Sequence, residues 1–345
     1  MEKAAVQGDG LLIPLIDFSK FLNGSPPQKL ETAKAILTGF QTAGFIYLSN
    51  LPIAPSTVAQ AFDRSAQFFR LPLSTKDSLA WSTPEANRGY SSPGREKVSL
   101  LANDADVSAL RTSIPDIKES LEIGREDEPG HPNRWPSEEA GEGAPNELTG
   151  FKQSMLSFFG DLAELHTSVM RAIAVGMGLP ETHFDRFVSD RDNTLRLLHY
   201  PAVRRDVFQI NPGQVRAGEH SDYGSVTILF QDQRGGLQVQ SPSGAFVDAT
   251  PIEGTCVVNA GDLLARWSND TIRSTVHRVV EPPRREGGED GETYPARYSI
   301  AYFCNPNFKD FIEAIPGTYA AEADKKYEGI NSGEYLVQRL KTTYG

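Results

Sequence analysis

From residue 194 to residue 304 the chain is a succession of short apolar runs cut by turn residues, and few folds accept that pattern. The runs are Thr194–Tyr200, Ser225–Phe230, Leu237–Gln240, Thr255–Asn259, Leu263–Trp267, Ser274–Val280 and Arg297–Phe303. Pro201, Gly213, Gly235-Gly236, Pro242, Gly244 and Gly261 punctuate them. Many short strands at this spacing predict a β-sandwich or jelly roll and speak against a parallel βαβ sheet. The first half reads differently. Lys29 to Ala43 carries Leu30, Ala33, Ile36, Leu37 and Phe40 at helical spacing and ends at Gly44, before a short buried strand over Phe45–Leu48. Ser56 or Thr57 can cap a second helix with a stripe of Val58, Phe62, Ala66 and Phe69. Leu11–Asp17 reads as an edge strand because Pro14 interrupts it. A long helix is expected from Phe151 to about Val175, and Glu126 to Asn146 reads as an exposed loop. The expected organisation is an N-terminal α/β region over 1–150, a long helix and β core over 151–319, and a polar, partly helical tail over 320–345.

Charge narrows the partners. A net charge of −11 and a pI near 5.1 argue against nucleic acid or an anionic membrane surface. The N-terminal residues lack a basic region followed by an apolar core, and no apolar run approaches bilayer length, so a cytoplasmic protein is expected. Cys256 and Cys304, both in apolar runs, read as buried free thiols in a reducing compartment. Oligomeric state is not legible in these residues.

Within the β region stand His220-Ser221-Asp222, then His277 at 55 residues beyond Asp222, then Arg297-Tyr298-Ser299 at twenty beyond His277. Two neutral imidazoles and one carboxylate make a three-point facial site for iron(II), with the remaining positions open to a cosubstrate and dioxygen. His220 and Asp222 are two apart, so on an extended backbone they project to one side. His166 and His183 read as structural or exposed, and His199 points to the face opposite Tyr200.

These residues resemble the iron(II)/2-oxoglutarate-dependent dioxygenases, in the subgroup that includes isopenicillin N synthase and plant flavonoid and gibberellin oxidases. The resemblance spans almost the whole chain. Its specific part is an ordered set: His220-x-Asp222, Gly235-Gly236-Leu237-Gln238-Val239, Val258-Asn259-x-Gly261-Asp262, His277-Arg278-Val279 and Arg297-x-Ser299. Ile13-Pro14-Leu15-Ile16-Asp17, Gly44-Phe45-Ile46-Tyr47-Leu48, Asn87-Arg88-Gly89-Tyr90 and Lys118-Glu119-Ser120-Leu121-Glu122 match in style. The resemblance implies a mainly β fold with flanking helices around a double-stranded β-helix (jelly roll) core. It implies iron on His220, Asp222 and His277, and the distal carboxylate of 2-oxoglutarate on Arg297 and Ser299 with a hydroxyl from Tyr200. A guanidinium suits that carboxylate because it donates two parallel hydrogen bonds. Two departures stand out. Leu198 occupies a position where the family often has Asn, and the stretch from His277 to Arg297 is longer than usual through the charged Arg284–Glu292 loop.

The implied activity is an iron(II)-, 2-oxoglutarate- and O2-dependent oxygenation, hydroxylation by default, of a small organic secondary metabolite, with release of succinate and CO2. Two other readings are open: an iron-dependent oxidase that omits 2-oxoglutarate, like isopenicillin N synthase or aminocyclopropanecarboxylate oxidase, and a non-catalytic small-molecule-binding jelly roll. Strand parity extends the site. If Arg297 and Ser299 face inward so does Phe303, and if Tyr200 does so do Leu198 and Arg196. In plant flavonoid oxidases the positions matching Phe303 and Arg196 line the substrate pocket. An aromatic face with a guanidinium suits a planar, phenolic or carboxylated substrate such as an aromatic polyketide or flavonoid-like compound.

Overall fold

A computed structural model describes residues 3–81, 87–94, 116–126, 128–139, 147–210, 214–282 and 292–344. Most of the Arg284–Glu292 loop therefore lies outside the described residues. Fifteen strands matter for the site: β1 Lys3–Gly8, β2 Leu11–Asp17, β3 Phe45–Ser49, β4 Gly89–Ser91, β5 Glu119–Gly124, β6 Thr194–Tyr200, β7 Val203–Arg204, β8 Ala217–His220, β9 Val226–Gln231, β10 Leu237–Gln240, β11 Phe246–Asp248, β12 Thr255–Ala260, β13 His277–Val279, β14 Thr293–Tyr294 and β15 Arg297–Cys304. Five helices flank them: α1 Pro26–Thr42, α2 Pro55–Phe69, α3 Phe151–Gly176, α4 Asp262–Trp267 and α5 Ser332–Tyr344.

The strands form a jelly roll of two facing sheets. The major sheet runs β1-β2-β3-β12-β9-β15-β6-β5-β4 and the minor sheet β11-β10-β13-β8; β7 and β14 pair separately. Its centre, β12-β9-β15-β6, comes from the C-terminal half, and the N-terminal half adds strands at both sides. Alternation along β15 sets the two faces. Ile300, Tyr302 and Cys304 join the core beneath the helices, while Ala301 belongs to the cluster between the sheets, with Phe303 packed against it. The helix layer locks onto the outer face through aromatic pairs, Phe158 with Phe230 at 6.0 Å and Phe159 with Tyr302 at 5.1 Å between centroids.

The spacing of Met155, Phe158, Phe159, Leu162, Leu165, Val169 and Ile173 makes α3 a helix with one buried stripe. Its free N-terminal amides are met by Glu138, whose carboxylate accepts from Gly150 N at 2.9 Å and Lys152 N at 2.6 Å. His166 lies in this stripe, 1% exposed, and burial lowers its pKa to about 3.

Three local expectations change. Leu11–Asp17 is an inner strand, with β1 outside it; Pro14 is tolerated because the β1 register shifts between Ala4 and Val6, opposite it. Leu263–Trp267 belongs to α4 and not to a strand, its acidic Asp262 sitting in the first helical turn after an extended Gly261. The second helix begins at Pro55, with no side-chain cap from Ser56 or Thr57. Cys256 and Cys304 are buried and free as expected. No helix among the described residues is long and apolar enough to cross a membrane.

A glycine comparison tests the packing around the site. A Cβ on Gly261 would lie 2.4 Å from the Gly224 carbonyl oxygen and 3.1 Å from that of Asp222, whereas one on Gly160 in α3 meets nothing within 4 Å. Gly261→Ala should cost about 1–3 kcal/mol in urea unfolding, and Gly160→Ala should gain roughly 0.5–1 kcal/mol. The pH dependence has a definite sign. The folded His166 stays neutral down to about pH 3, while an unfolded histidine takes up its proton near pH 6.5. The unfolded state then binds more protons, so this contribution to stability is complete above pH 6.5 and is lost progressively as pH falls toward 3. His166→Gln should flatten that slope; an unchanged slope would assign it to other groups.

Candidate active site

Three side chains converge where the sheets meet. β8 and β13 pair with His220 directly opposite His277, their ring centroids 4.3 Å apart. Asp222 follows the end of β8, and its Oδ1 is 3.9 Å from His220 Nε2 and 3.8 Å from His277 Nε2. The candidate ligand atoms all lie within 4.8 Å of one another, so a modest inward rotation of the side chains brings them to the roughly 3 Å spacing of adjacent ligands on one ion with bonds of about 2 Å. Both imidazoles are oriented by backbone. His220 Nδ1 donates to Gly218 O at 2.7 Å and His277 Nδ1 to Thr275 O at 3.1 Å. A carbonyl only accepts, so the proton sits on Nδ1 and the Nε2 lone pairs remain for a metal.

The major sheet holds the carboxylate from the other side. Asn259 Nδ2 donates to Asp222 Oδ2 at 2.7 Å, and Thr227, its neighbour across β9–β12, adds a second hydrogen bond. Burial alone would raise the Asp222 pKa, but the facing His277 and His220 and the two donors outweigh it and hold the carboxyl below its usual range. Burial, followed by repulsion from His277, takes His220 down to about 3. Two neutral imidazoles and one carboxylate are the donor set that suits iron(II).

Deeper between the sheets, Arg297 on β15 is paired with Tyr200 on β6, and Ser299 with Leu198. Arg297 is 1% exposed. It donates from Nε to Gly235 O at 2.9 Å, from Nη1 to Ser299 Oγ at 3.3 Å and from Nη2 to Gln231 Oε1 at 3.3 Å, and its guanidinium lies 4.8 Å from the Tyr200 ring centroid. Gly235 and Gly236, both at positive φ, make the tight turn that brings this carbonyl in. All three acceptors are neutral, and none of the described carboxylates lies within ion-pair distance of it. A buried guanidinium answered only by dipoles fits an incoming carboxylate. Behind it, fully buried Arg216 donates to Pro295 O at 3.2 Å, and burial with the nearby Arg297 lowers its pKa to about 10. Leu198, in place of the polar residue usual there, gives the cavity an apolar wall.

Toward the mouth, a cavity of about 70 Å³ is lined by Asn87, Lys118, Arg196, Tyr223 and Phe303 and roofed by Leu336 and Leu340 of α5. Arg196 Nε is 2.7 Å from Glu122 Oε1, and its guanidinium stands 5.0 Å from the Phe303 ring centroid. Lys118 Nζ is 3.7 Å from Asp116 Oδ2. The strand parity read from the sequence thus brings His220, Asp222, His277, Tyr200, Arg297, Ser299, Arg196 and Phe303 to one interior space. His199 lies on the other face, 2.7 Å from Glu119 and stacked on Tyr298. The sequence reading assigned no role to Asn259, Lys118, Tyr223 or the tail leucines. The apolar pair Leu336 and Leu340, one helical turn apart, signals a packed helix face but not what that face covers.

Comparison with known proteins agrees with this geometry. Residues 13–138 match the N-terminal family described as non-haem dioxygenase in morphine synthesis, and residues 191–306 match the 2OG-Fe(II) oxygenase superfamily. The proline hydroxylase buaE of Petromyces alliaceus is 34% identical over 95% of this chain and 98% of its own. The crystal structure of a full-length Neurospora crassa hydroxylase with alpha-KG is 66% identical, covers 99% of both chains and superposes with a TM-score of 0.90. The complex of that hydroxylase with alpha-KG and thymine is 67% identical over 98% of this chain and 99% of that one, with a TM-score of 0.90; a third structure of it holds alpha-KG and 5-formyluracil.

The metal site has a test that needs no turnover. Mn(II), a redox-quiet stand-in, should raise the thermal midpoint, by the equivalent of about 2.7 kcal/mol at a hundredfold excess over its Kd, and a chelator should reverse the shift. His277→Ala should keep the fold and lose the shift. A full shift in that variant would move the metal elsewhere.

Proposed function

The chain belongs to the 2-oxoglutarate–iron(II) oxygenase superfamily, and on that premise we propose that it oxidises the 5-methyl group of a free pyrimidine base, thymine first. The enzyme is a 2-oxoglutarate-dependent dioxygenase. Bound iron(II) with 2-oxoglutarate and dioxygen supplies the C–H oxidation, one oxygen atom entering the substrate as a hydroxyl and the other entering succinate as CO2 is released. The observation that carries the substrate is the likeness, 67% identity over 98% of this chain, to a protein crystallised with thymine.

In this reading His220, Asp222 and His277 hold the iron. Arg297 and Ser299 grip the distal carboxylate of 2-oxoglutarate, and Tyr200 contributes its hydroxyl. The neutral acceptors now around Arg297 support that role, because a carboxylate gives the buried charge its counter-ion. Phe303 and Tyr223 offer aromatic faces for a flat ring. Asn87 and the cations at the rim match a base that presents two carbonyls and two N–H groups.

Charge balance favours a neutral over an acidic substrate. Both cations at the cavity already face a carboxylate, Arg196 that of Glu122 and Lys118 that of Asp116. A neutral heterocycle can use their remaining donors without disturbing either pair, whereas an acid would compete with the pairs. The planar part of the sequence expectation is kept and the carboxylated part is set aside. The 5-formyluracil bound by the Neurospora crassa hydroxylase carries the methyl carbon two oxidation steps on; we read the site here as admitting the hydroxymethyl product again for a further round. Two buried free thiols fit a reducing cytosol.

The deciding experiment incubates the protein with iron(II), 2-oxoglutarate and thymine, with uracil as the control lacking a methyl group. Succinate release and 5-hydroxymethyluracil by mass analysis are expected with thymine alone. Succinate without thymine dependence, or oxygen uptake indifferent to 2-oxoglutarate, counts against the proposal. Arg297→Ala should raise the 2-oxoglutarate requirement by the equivalent of about 2–5 kcal/mol, with Lys intermediate, and leave Mn(II) binding intact. Phe303→Ala should raise the thymine KM about tenfold or more while the 2-oxoglutarate KM stays within about twofold. Equal effects on both would deny Phe303 a substrate contact.

A further inference from the structure

Asp262 has more partners than a turn requires. Its backbone N–H donates to Asp222 O at 2.7 Å. Its Oδ2 accepts from Ser221 Oγ at 3.1 Å and its Oδ1 from Ser274 Oγ at 2.6 Å. Ser221 sits between His220 and Asp222. Ser274 precedes Thr275, whose carbonyl orients His277. One carboxylate therefore steadies both segments that carry the candidate metal ligands.

A third partner arrives from the far end of the chain. Arg339 Nη1 on α5 lies 2.8 Å from Asp262 Oδ2, and its guanidinium stands 4.5 Å from the ring centroid of Tyr223. The same helix turns Leu336 and Leu340 into the substrate cavity. Seating α5 on the cavity and delivering Arg339 to Asp262 are thus one movement of one rigid element. The Asp262 side chain is 16% exposed and that of Arg339 36%, so water screens the pair less than it would a free surface pair.

We propose that Asp262 is a positioning residue that links the seating of the C-terminal helix to the order of the metal-ligand segments. With α5 down, Arg339 completes the donors around Asp262, and Ser221 and Ser274 are held. With α5 raised, the carboxylate loses its cation and both segments gain freedom. The arrangement reserves a fully ordered metal site for a covered cavity, so that 2-oxoglutarate is consumed mainly when substrate lies beneath the helix. This inference rests on the oxygenase activity and uses thymine as its probe.

The test compares full-length wild type with Arg339→Gln and Arg339→Lys, measuring succinate formed per oxidised thymine, the KM for each substrate, and Mn(II) affinity without turnover. Arg339→Gln should raise the succinate-to-product ratio and the thymine KM about three- to tenfold, weaken Mn(II) about threefold, and leave the 2-oxoglutarate KM within about twofold. Arg339→Lys should recover part of each. Asp262→Asn should give the same uncoupling with a larger loss of Mn(II); if it fails to fold, Arg339→Gln decides alone. Wild-type stoichiometry and Mn(II) affinity in Arg339→Gln overturn the inference, as does a lowered Tm and kcat at unchanged stoichiometry. A wild type that leaves thymine unoxidised strikes the substrate reading only, because the Mn(II) comparison still decides this one.

Discussion

The hydrogen bond from Asn259 to Asp222 joins the two sheets where chemistry is expected, and much of the site's order follows from it. Both histidines stand on the minor sheet, while Asn259 and Thr227 stand on the major one. A carboxylate reached from both sides cannot turn away to water, and the backbone carbonyls that hold Nδ1 of each facing imidazole leave Nε2 directed inward. Gly261 and Gly224 permit this approach: a side chain on Gly261 would strike the Gly224 and Asp222 carbonyls, and one on Gly224 the Cys304 carbonyl and the Asn305 side chain.

Charge follows a consistent rule across the interior. Arg196 and Lys118, at the mouth, are each matched by a carboxylate of the same wall. Arg297 and Arg216, at the closed end, face neutral acceptors. Low-dielectric surroundings make unmatched charge expensive, so the end whose guanidiniums have no described carboxylate at ion-pair distance suits an incoming one. In the proposed function, that gradient would orient an elongated dianion such as 2-oxoglutarate with its far carboxylate toward Arg297 and leave the mouth close to neutral for a neutral ring.

What could be read from the sequence was whatever two-residue periodicity and residue chemistry control. Alternation along Arg297–Phe303 and Arg196–Tyr200 fixed which side chains share the interior, because each strand is tied in register to its neighbours. The candidate metal set stood out because few side chains serve that chemistry. The leucines of α5 were not, since an apolar pair in a polar tail carries no sign of what it will cover. Leu263–Trp267 misled for a related reason: a short apolar run reads alike as strand or helix until its leading amides are seen donating away, Gly261 N to Ser225 O, Asp262 N to Asp222 O and Leu263 N to Tyr223 O.

The order of the major sheet also bears on how the chain reaches its fold. β3 hydrogen-bonds to β12 across more than two hundred residues, and β5 to β6 across some eighty. During synthesis these strands leave the ribosome well before their partners exist, the edge of β5 waiting for residues 194–200 and that of β3 for residues 255–260. Such long-range pairing slows folding and prolongs the period in which wrong partners can bind. Because β12 and β15 come late in the chain yet form the centre of the major sheet, the interior can close only near the end of synthesis.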